Sequence, residues 1–209
     1  MPENRASVTT LSIRVETPRL VLRAPQVSDV PELRLLLRKN ASHLRAVSPL
    51  PRPSEDPSSL TELSNLVARQ RREWRQDRGY SFVMALRHPD QPIIGRLALN
   101  NVIRGAFHNA YLGYWLDESH QGRGLMQEGV RHALRFGFEV LKLHRVQIAI
   151  MPRNTRSLRV MERLGIRREG LAKSYLCIAG KWEDHEIFAV TVDDRLSPDP
   201  HDAAPEIEP

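Results

Sequence analysis

Between an apolar alternating run that ends at Leu116 and a helical repeat that starts at Met126 stands Gln121-Gly122-Arg123-Gly124, the segment that most constrains the fold. After it, Met126, Val130, Ala133, Leu134, Gly137, Phe138 and Leu141 recur at helical spacing, opposite a polar face of Gln127, Glu128, Arg131, Arg135 and Lys142. No Ser, Thr, Asp or Asn immediately precedes the first turn, so the first N–H groups of this helix lack a side-chain cap. Two glycines let a ligand approach the backbone, and the positive end of the helix dipole completes a phosphate cradle. Gly122, Gly124 and Gly129 give G-x-G-x-x-x-x-G rather than the G-x-G-x-x-G of dinucleotide folds, and Gly180-Lys181 has no glycine five residues earlier. A plain glycine turn into a helix would use the same residues, so the surrounding elements decide.

Upstream, Leu20 and Leu22 alternate with Val21 and Arg23 in a strand ended by Pro25, and Ser28 caps a helix to about Lys39 with Val30, Leu33, Leu36 and Leu37 on one face. Residues 40–58 hold four prolines and read as a long loop of the kind that contacts substrates. A second helix over residues 59–77 repeats Leu60, Leu63, Leu66, Val67 and Trp74 and is closed by Arg78-Gly79. Strands follow at residues 82–86, 93–102 and 111–116, and Gly113 inside the third marks a bulge or a close backbone approach. Val146, Ile148 and Ile150 form a further strand; Asn154 caps a short helix carrying Leu158, Met161 and Leu164, ended by Gly165. Residues 175–178 and 187–192 close the fold around a turn at Ala179-Gly180.

The order β-α-α-β-β-β-α-β-α-β-β predicts an α/β (α+β) fold, a mixed, mostly antiparallel sheet of about seven strands with helices on both faces. One domain is expected over residues 16–194, between a mobile N-terminal tail, 1–15, and a mobile C-terminal tail, 195–209.

Composition narrows the function. Of 209 residues, 41% are hydrophobic and 27% charged, an ordinary globular balance that needs no disulfide or metal to fold. Cys177 is the only cysteine, which excludes a disulfide scaffold and any CxxC site. No apolar run approaches the roughly 20 residues of a membrane span, and residues 1–10 lack the order of a signal peptide, so a cytoplasmic enzyme or binding module is expected, with no membrane association. The formal charge is +6, with 31 Lys and Arg against 25 Asp and Glu. Arg69, Arg71 and Arg72, and Arg163 with Arg167 and Arg168, suit RNA or simply solvated faces. His132, His144 and His185 lack metal-ligand spacing, so no metal requirement is expected. Trp74, Trp115 and Trp182 read as core or pocket-wall residues.

Residues 101–108 (Asn-Val-Ile-Arg-Gly-Ala-Phe-His), Tyr111-Leu112-Gly113-Tyr114, Gln121-Gly122-Arg123-Gly124-Leu125-Met126 and Gly180-Lys181-Trp182-Glu183-Asp184-His185 together resemble the Gcn5-related N-acetyltransferase (GNAT) family, in its branch of ribosomal-protein N-terminal alanine acetyltransferases. The resemblance covers residues 16–193. The family motif Q/R-x-x-G-x-G/A is matched except that Met126 takes the usually small last position, as it also does in that branch.

The resemblance implies a GNAT fold with a splayed central strand pair, acetyl-CoA as cosubstrate, and a protein N-terminal α-amine as acceptor, a ribosomal protein in the branch concerned. It places Tyr114, Trp115 and Leu116 at the splay after Gly113, and Gln121, Gly122, Arg123, Gly124, Leu125 and Met126 around the pyrophosphate. Asn154 and Ser157 match its N-x-x-S, the Asn holding the pantetheine arm and the Ser near the sulfur as proton donor, although Asn154 is also a plain helix N-cap.

A thioester needs positioning, an oxyanion donor, a neutral amine and a proton for the departing thiolate. A backbone N–H near Trp115 or Leu116 suits the oxyanion. For the amine, His108, Tyr111 and Tyr175 are the candidate bases, and ordered water is the alternative. A covalent route through Cys177 is disfavoured, since a lone strand cysteine is usually a small hydrophobe. Competing functions are acetylation of a small amine such as an aminoglycoside, against which residues 40–58 hold only Glu55 and Asp56 as acids, and a non-catalytic ribosome or RNA-binding module. Either a monomer or a homodimer is compatible with the chain.

Overall fold

The computed structural model describes residues 11–47, 56, 58–198 and 207–208. In chain order these form β1 (Arg14–Glu16), β2 (Leu20–Arg23), α1 (Val30–Lys39), α2 (Ala41–Arg45), α3 (Leu60–Arg75), β3 (Tyr80–Leu86), β4 (Ile93–Ile103) and β5 (Asn109–Leu116). There follow α4 (Leu125–Arg135), β6 (Arg145–Ile150), α5 (Thr155–Leu164), β7 (Arg167–Ile178), β8 (Lys181–Thr191) and β9 (Ile207–Glu208). They build one sheet in the order β7-β8-β6-β5-β4-β3-β2-β1-β9. Only β5 and β6 run parallel; the other neighbours are antiparallel.

The sheet has nine strands, not about seven. One extra strand, β1, starts inside the stretch read as an N-terminal tail, because Ile13 and Val15 alternate into the core at 4% and 1% exposure. The other, β9, lies in the stretch read as a C-terminal tail and pairs antiparallel with β1. Residues 1–10 of the predicted N-terminal tail, and 199–206 and 209 of the other, lie outside the described residues, as do 48–55 and 57 of the proline-rich segment. The start of that segment is helical, as α2.

Alternation along β3 and β4 feeds two cores. Phe82, Met84, Ile94 and Leu97 face α4 and the end of α3, where Trp74, Tyr80, Phe82 and Phe136 pack edge-on or tilted with centroids 5.0 to 6.1 Å apart. On the opposite face Val83 and Ile93 meet Val30, Leu33, Leu63 and Val67 of α1 and α3. Helices therefore cover both faces of the sheet.

Several boundaries differ from expectation for local reasons. Asp29, not Ser28, precedes α1; its carboxylate accepts from the Gln26 N–H and from Arg23, while the Ser28 hydroxyl donates to Gln26. Ser59, read as the first residue of the second helix, is instead the N-cap of α3, and Asp77 rather than Gly79 takes the left-handed turn after it. Glu128 and Arg131, on the polar face of α4, are each 2% exposed because the β1–β2 turn and residues 196–198 lie over them. That helix ends in a π-turn, Phe136–Val140. Strands β7 and β8 are far longer than expected, since ion pairs such as Lys173–Asp184 and Arg168–Glu186 replace apolar alternation there. Trp182 is neither core nor pocket wall but 64% exposed. Gly113 sits at no bulge: it pairs in register with Ala98, and the irregularity falls in β4 between Asn100 and Ile103.

Candidate active site

Two features at the centre of the sheet create a cleft. The first is the divergence of β5 from β6, whose parallel ladder covers only Asn109 to Tyr111 against Arg145 to Gln147. Beyond it β5 stays paired to β4 as far as Leu116, and β6 stays paired to β8 as far as Ile150, so the two strands are drawn apart. The Asp117 N–H donates to the Ile94 carbonyl at 2.7 Å, and the register Arg96–Trp115 and Ala98–Gly113 is constant. Antiparallel alternation then turns the peptide groups of Gly113 and Trp115 toward β4, and those of Tyr114 and Leu116 toward the opening. Of the two oxyanion donors considered, Leu116 faces the cleft and Trp115 does not; Tyr114 joins it.

The second feature is the start of α4. Gly124 is its N-cap at φ 77° with no side-chain cap, and Gly122 has φ 78°, a region that penalises any side chain. A Cβ at Gly122 would project into open space, where a ligand would meet the uncapped N–H groups. The residues present fit a diphosphate.

Neighbouring side chains fix this loop. Gln121 Nε2 donates to His43 Nε2 at 2.9 Å and to the Leu116 carbonyl at 3.3 Å, while its Oε1 accepts from Arg156 at 2.5 Å. Arg19 donates to the Arg123 carbonyl at 2.9 Å and, through Nε, to Glu128 at 2.6 Å. Thr17 and the Arg19 N–H fill the other Glu128 oxygen. The end of β5 is tied by Asp117, 1% exposed, which accepts from Lys39 and Asn40, both at 2.8 Å, from Ser119 at 2.5 Å and from His120 at 2.8 Å. Burial alone would push its carboxyl up; these hydrogen bonds outweigh burial and hold it well below the usual carboxylate range.

Tyr114, Trp115, Leu116, Gln121, Gly122, Gly124, Leu125, Met126, Asn154 and Ser157 all line this one cleft, as the sequence suggested. Arg123 does not; it contributes a carbonyl to the Arg19 clamp instead. Met126 fits the position that is usually small because it is 8% exposed and packs into the core. Not anticipated are Arg156, Arg159 and Arg163, a cationic stripe on α5 facing the α4 start, although their spacing of three and four residues was a readable signal.

Asn154 caps α5 by accepting the Ser157 N–H at 3.2 Å. The Tyr114 hydroxyl is enclosed beside Ser157; burial pushes this phenol above its ordinary value, with Ser157 a weaker opposing influence. A second cleft opens on the other side of Tyr114, Trp115, Asn154 and Ser157, which line both. Its floor is one face of the sheet: Arg96 and Asn100 of β4, Tyr111 of β5, Gln147 of β6 and His185 of β8, joined by Tyr175 of β7. Gln147 donates to the Tyr175 hydroxyl at 3.5 Å, and burial raises that phenol too, followed by the nearby Tyr111. Arg96 donates to Gln70 at 2.5 Å; burial and then Arg69 bring its pKa down to about 10, still a cation at neutral pH. Among the described residues no carboxylate lines this second cleft.

Of the candidate bases, Tyr111 and Tyr175 line the second cleft and His108 lines neither. His108 precedes β5 at the end away from the opening, roughly 20 Å along an extended strand from Tyr114. Its Nδ1 is held by the Gly105 carbonyl at 2.7 Å. Cys177 is exposed on β7 opposite Trp182 and lines neither cleft, which leaves a covalent cysteine route without a site.

Residues 19–167 match the model of the acetyltransferase (GNAT) domain. The chain belongs to the GNAT acetyltransferase family. It is 35% identical over 184 residues to the [ribosomal protein uS5]-alanine N-acetyltransferase of Escherichia coli, covering 87% of this chain and 92% of that one. Among solved structures, RimJ of Mycobacterium smegmatis in complex with CoA-disulfide superposes with a TM-score of 0.81 at 28% identity, covering 88% of this chain and 90% of that one. The ribosomal-protein-S5-alanine acetyltransferase of Vibrio fischeri gives a TM-score of 0.79 at 29% identity, with 87% and 97% covered. As a GNAT acetyltransferase the chain uses acetyl-CoA as its acetyl donor. Among the described residues no helix is long and apolar enough to cross a membrane.

Proposed function

We propose that this GNAT acetyltransferase acetylates the α-amine of a protein N-terminus, with a ribosomal protein as the acceptor. The observation that carries this reading is the pair of clefts meeting at Tyr114, Trp115, Asn154 and Ser157, one cationic and suited to a diphosphate, the other free of carboxylates among the described residues. A polycation such as an aminoglycoside calls for acidic partners that this second cleft lacks. An extended peptide end with one amine suits it better, and the likeness to the uS5-alanine enzyme over 92% of that protein supports the acceptor class.

In this reading Gly122, Gly124 and the first N–H groups of α4 hold the diphosphate, with Gln121 fixing the loop. Leu125 and Met126 line the wall, and Asn154 with Tyr114 and Trp115 flanks the pantetheine arm. The Leu116 and Tyr114 N–H groups face the thioester oxygen, already aimed and needing no reorganisation. Ser157 supplies the proton that the departing sulfur needs. Tyr111 and Tyr175 line the acceptor side.

The Arg clusters give the RNA reading little support. Arg71 holds the Pro25 carbonyl at 3.0 Å, Arg167 pairs with Asp194 and Glu169, Arg168 pairs with Glu186, and Arg163 lines the first cleft. CoA release from acetyl-CoA, compared for a peptide with a free N-terminal Ala, a blocked peptide with an internal Lys, and an aminoglycoside, tests the proposal. Turnover with the free N-terminus alone is expected; turnover with either of the others and not with it would overturn the acceptor class.

A further inference from the structure

His185 closes one of the stretches that carry the family resemblance but is not among the candidate bases, and the strand register brings it into the second cleft. The β6–β8 pairing of Ile150 with Glu186 puts His185 beside Met151, and alternation from the Tyr111–Gln147 pair puts Met151 and Trp115 on the same face of the sheet. Trp115, Met151 and His185 therefore face the same side of the sheet, past the last β5–β6 pair, and all three line the second cleft. The imidazole is 3% exposed, lines the second cleft and rests against Tyr175 with ring centroids 5.6 Å apart.

Its tautomer is set by a neighbour. His185 Nδ1 lies 3.0 Å from the Glu183 carbonyl, which can only accept, so Nδ1 carries the hydrogen and Nε2 of the neutral ring carries the lone pair. Around the ring, Glu183 and Asp184 of its own strand are neutralised by Arg153 at 2.7 Å and Lys173 at 2.8 Å. From β7 Tyr175 faces it, and Tyr111 of β5 stands beyond Tyr175. Arg96 cannot accept a proton and burial holds the Tyr175 phenol protonated, so among the described residues of the cleft the imidazole is the side chain that offers a basic nitrogen lone pair.

We propose that His185 Nε2 is the general base of the reaction, which rests on the N-terminal acceptor read above. Nε2 takes one proton from the α-ammonium, leaving a lone pair that forms the N–C bond to the thioester carbon as the C–S bond breaks. The sulfur takes a proton through the Ser157 hydroxyl, refilled by the hydrogen that nitrogen loses on becoming an amide, and the imidazolium releases its proton to solvent.

The test joins kinetics to a direct titration. In the wild-type protein the His185 imidazole is titrated by NMR, and its midpoint is compared with the ascending limb of kcat/KM against pH for a free N-terminal Ala peptide. The two are expected to coincide. His185→Gln is expected to lose that limb and about 100- to 1000-fold in kcat/KM near neutrality, with acetyl-CoA affinity unchanged. A variant that keeps the limb, or a midpoint more than about one pH unit from it, would overturn the assignment; the wild-type comparison decides if the variant does not fold. Wild-type protein that binds acetyl-CoA but acetylates no free N-terminus would instead overturn the acceptor reading, and the base assignment with it.

Discussion

Arg19 and Glu128, 109 residues apart, meet at 2.6 Å with Glu128 2% exposed, and the same guanidinium reaches on to the Arg123 carbonyl in the cradle loop. The β1–β2 turn is thereby coupled to the start of α4. Replacing Glu128 by Ala removes the acceptor of three donors, Thr17, the Arg19 N–H and its Nε. We expect a loss of about 2 kcal/mol in urea unfolding, and weaker acetyl-CoA binding by calorimetry because the Arg19 clamp is released. Unaltered affinity would show that the cradle holds its shape without the clamp.

Gly124→Ala puts a side chain at φ 77°. The left-handed region costs roughly 1–2 kcal/mol for such a residue, and relief by backbone movement would misaim the N–H groups of the α4 start. Acetyl-CoA affinity should fall at least about tenfold. Leu125→Met, a volume-conserving change one residue later, should leave it nearly unchanged.

Ser157→Ala separates binding from proton delivery. Its N–H still caps against Asn154, so α5 should keep its place and acetyl-CoA its affinity. A fall of about 10- to 100-fold in kcat with little change in peptide KM is expected from stopped-time CoA release. A fall in KM terms alone would make Ser157 a wall residue.

Asp117 makes the fold acid-sensitive. Its folded pKa is depressed, so its contribution is fully present above the ordinary aspartate value of about 4 and is lost as pH falls through that value toward the folded one. Thermal midpoints of wild type and Asp117→Asn should differ by a constant amount above about pH 5 and converge below about pH 4. A gap that stays open at low pH would point to packing rather than charge.

Arg96 is the cation that nothing acidic balances among the described residues of its cleft. An uncompensated, partly buried charge costs stability, so Arg96→Met should raise the thermal midpoint. Because Arg96 shares a sheet face with Trp115, its loss should also raise peptide KM. Loss of stability without change in KM would make Arg96 a scaffold residue held by Gln70.

How much of this was readable from the chain divides by range. The glycine cradle, the Asn154 cap and the core strands depend on neighbours within a few residues, whereas Tyr114, Trp115, Leu116 and Ser157 were placed at the cleft by the family resemblance. The burial of Glu128 was not legible because a helical repeat shows which residues share a face, not what another segment lays over it. Arg96 was invisible for a related reason: it reaches the cleft through strand register set by partners far along the chain, and a one-residue slip would turn it to the other face, whereas His185 stood in a stretch carrying the family resemblance but was not read as a base. The turn of the β7–β8 hairpin was legible, but the length of its strands was not, because ion pairs, not apolar alternation, hold their exposed stretches.

The short parallel ladder between β5 and β6 has a kinetic consequence. Since the two strands part after Tyr111, donor and acceptor approach their shared wall through separate entrances, and neither has to leave before the other arrives. Turnover then passes through a ternary complex, and initial-velocity lines at fixed acceptor concentrations should intersect instead of running parallel.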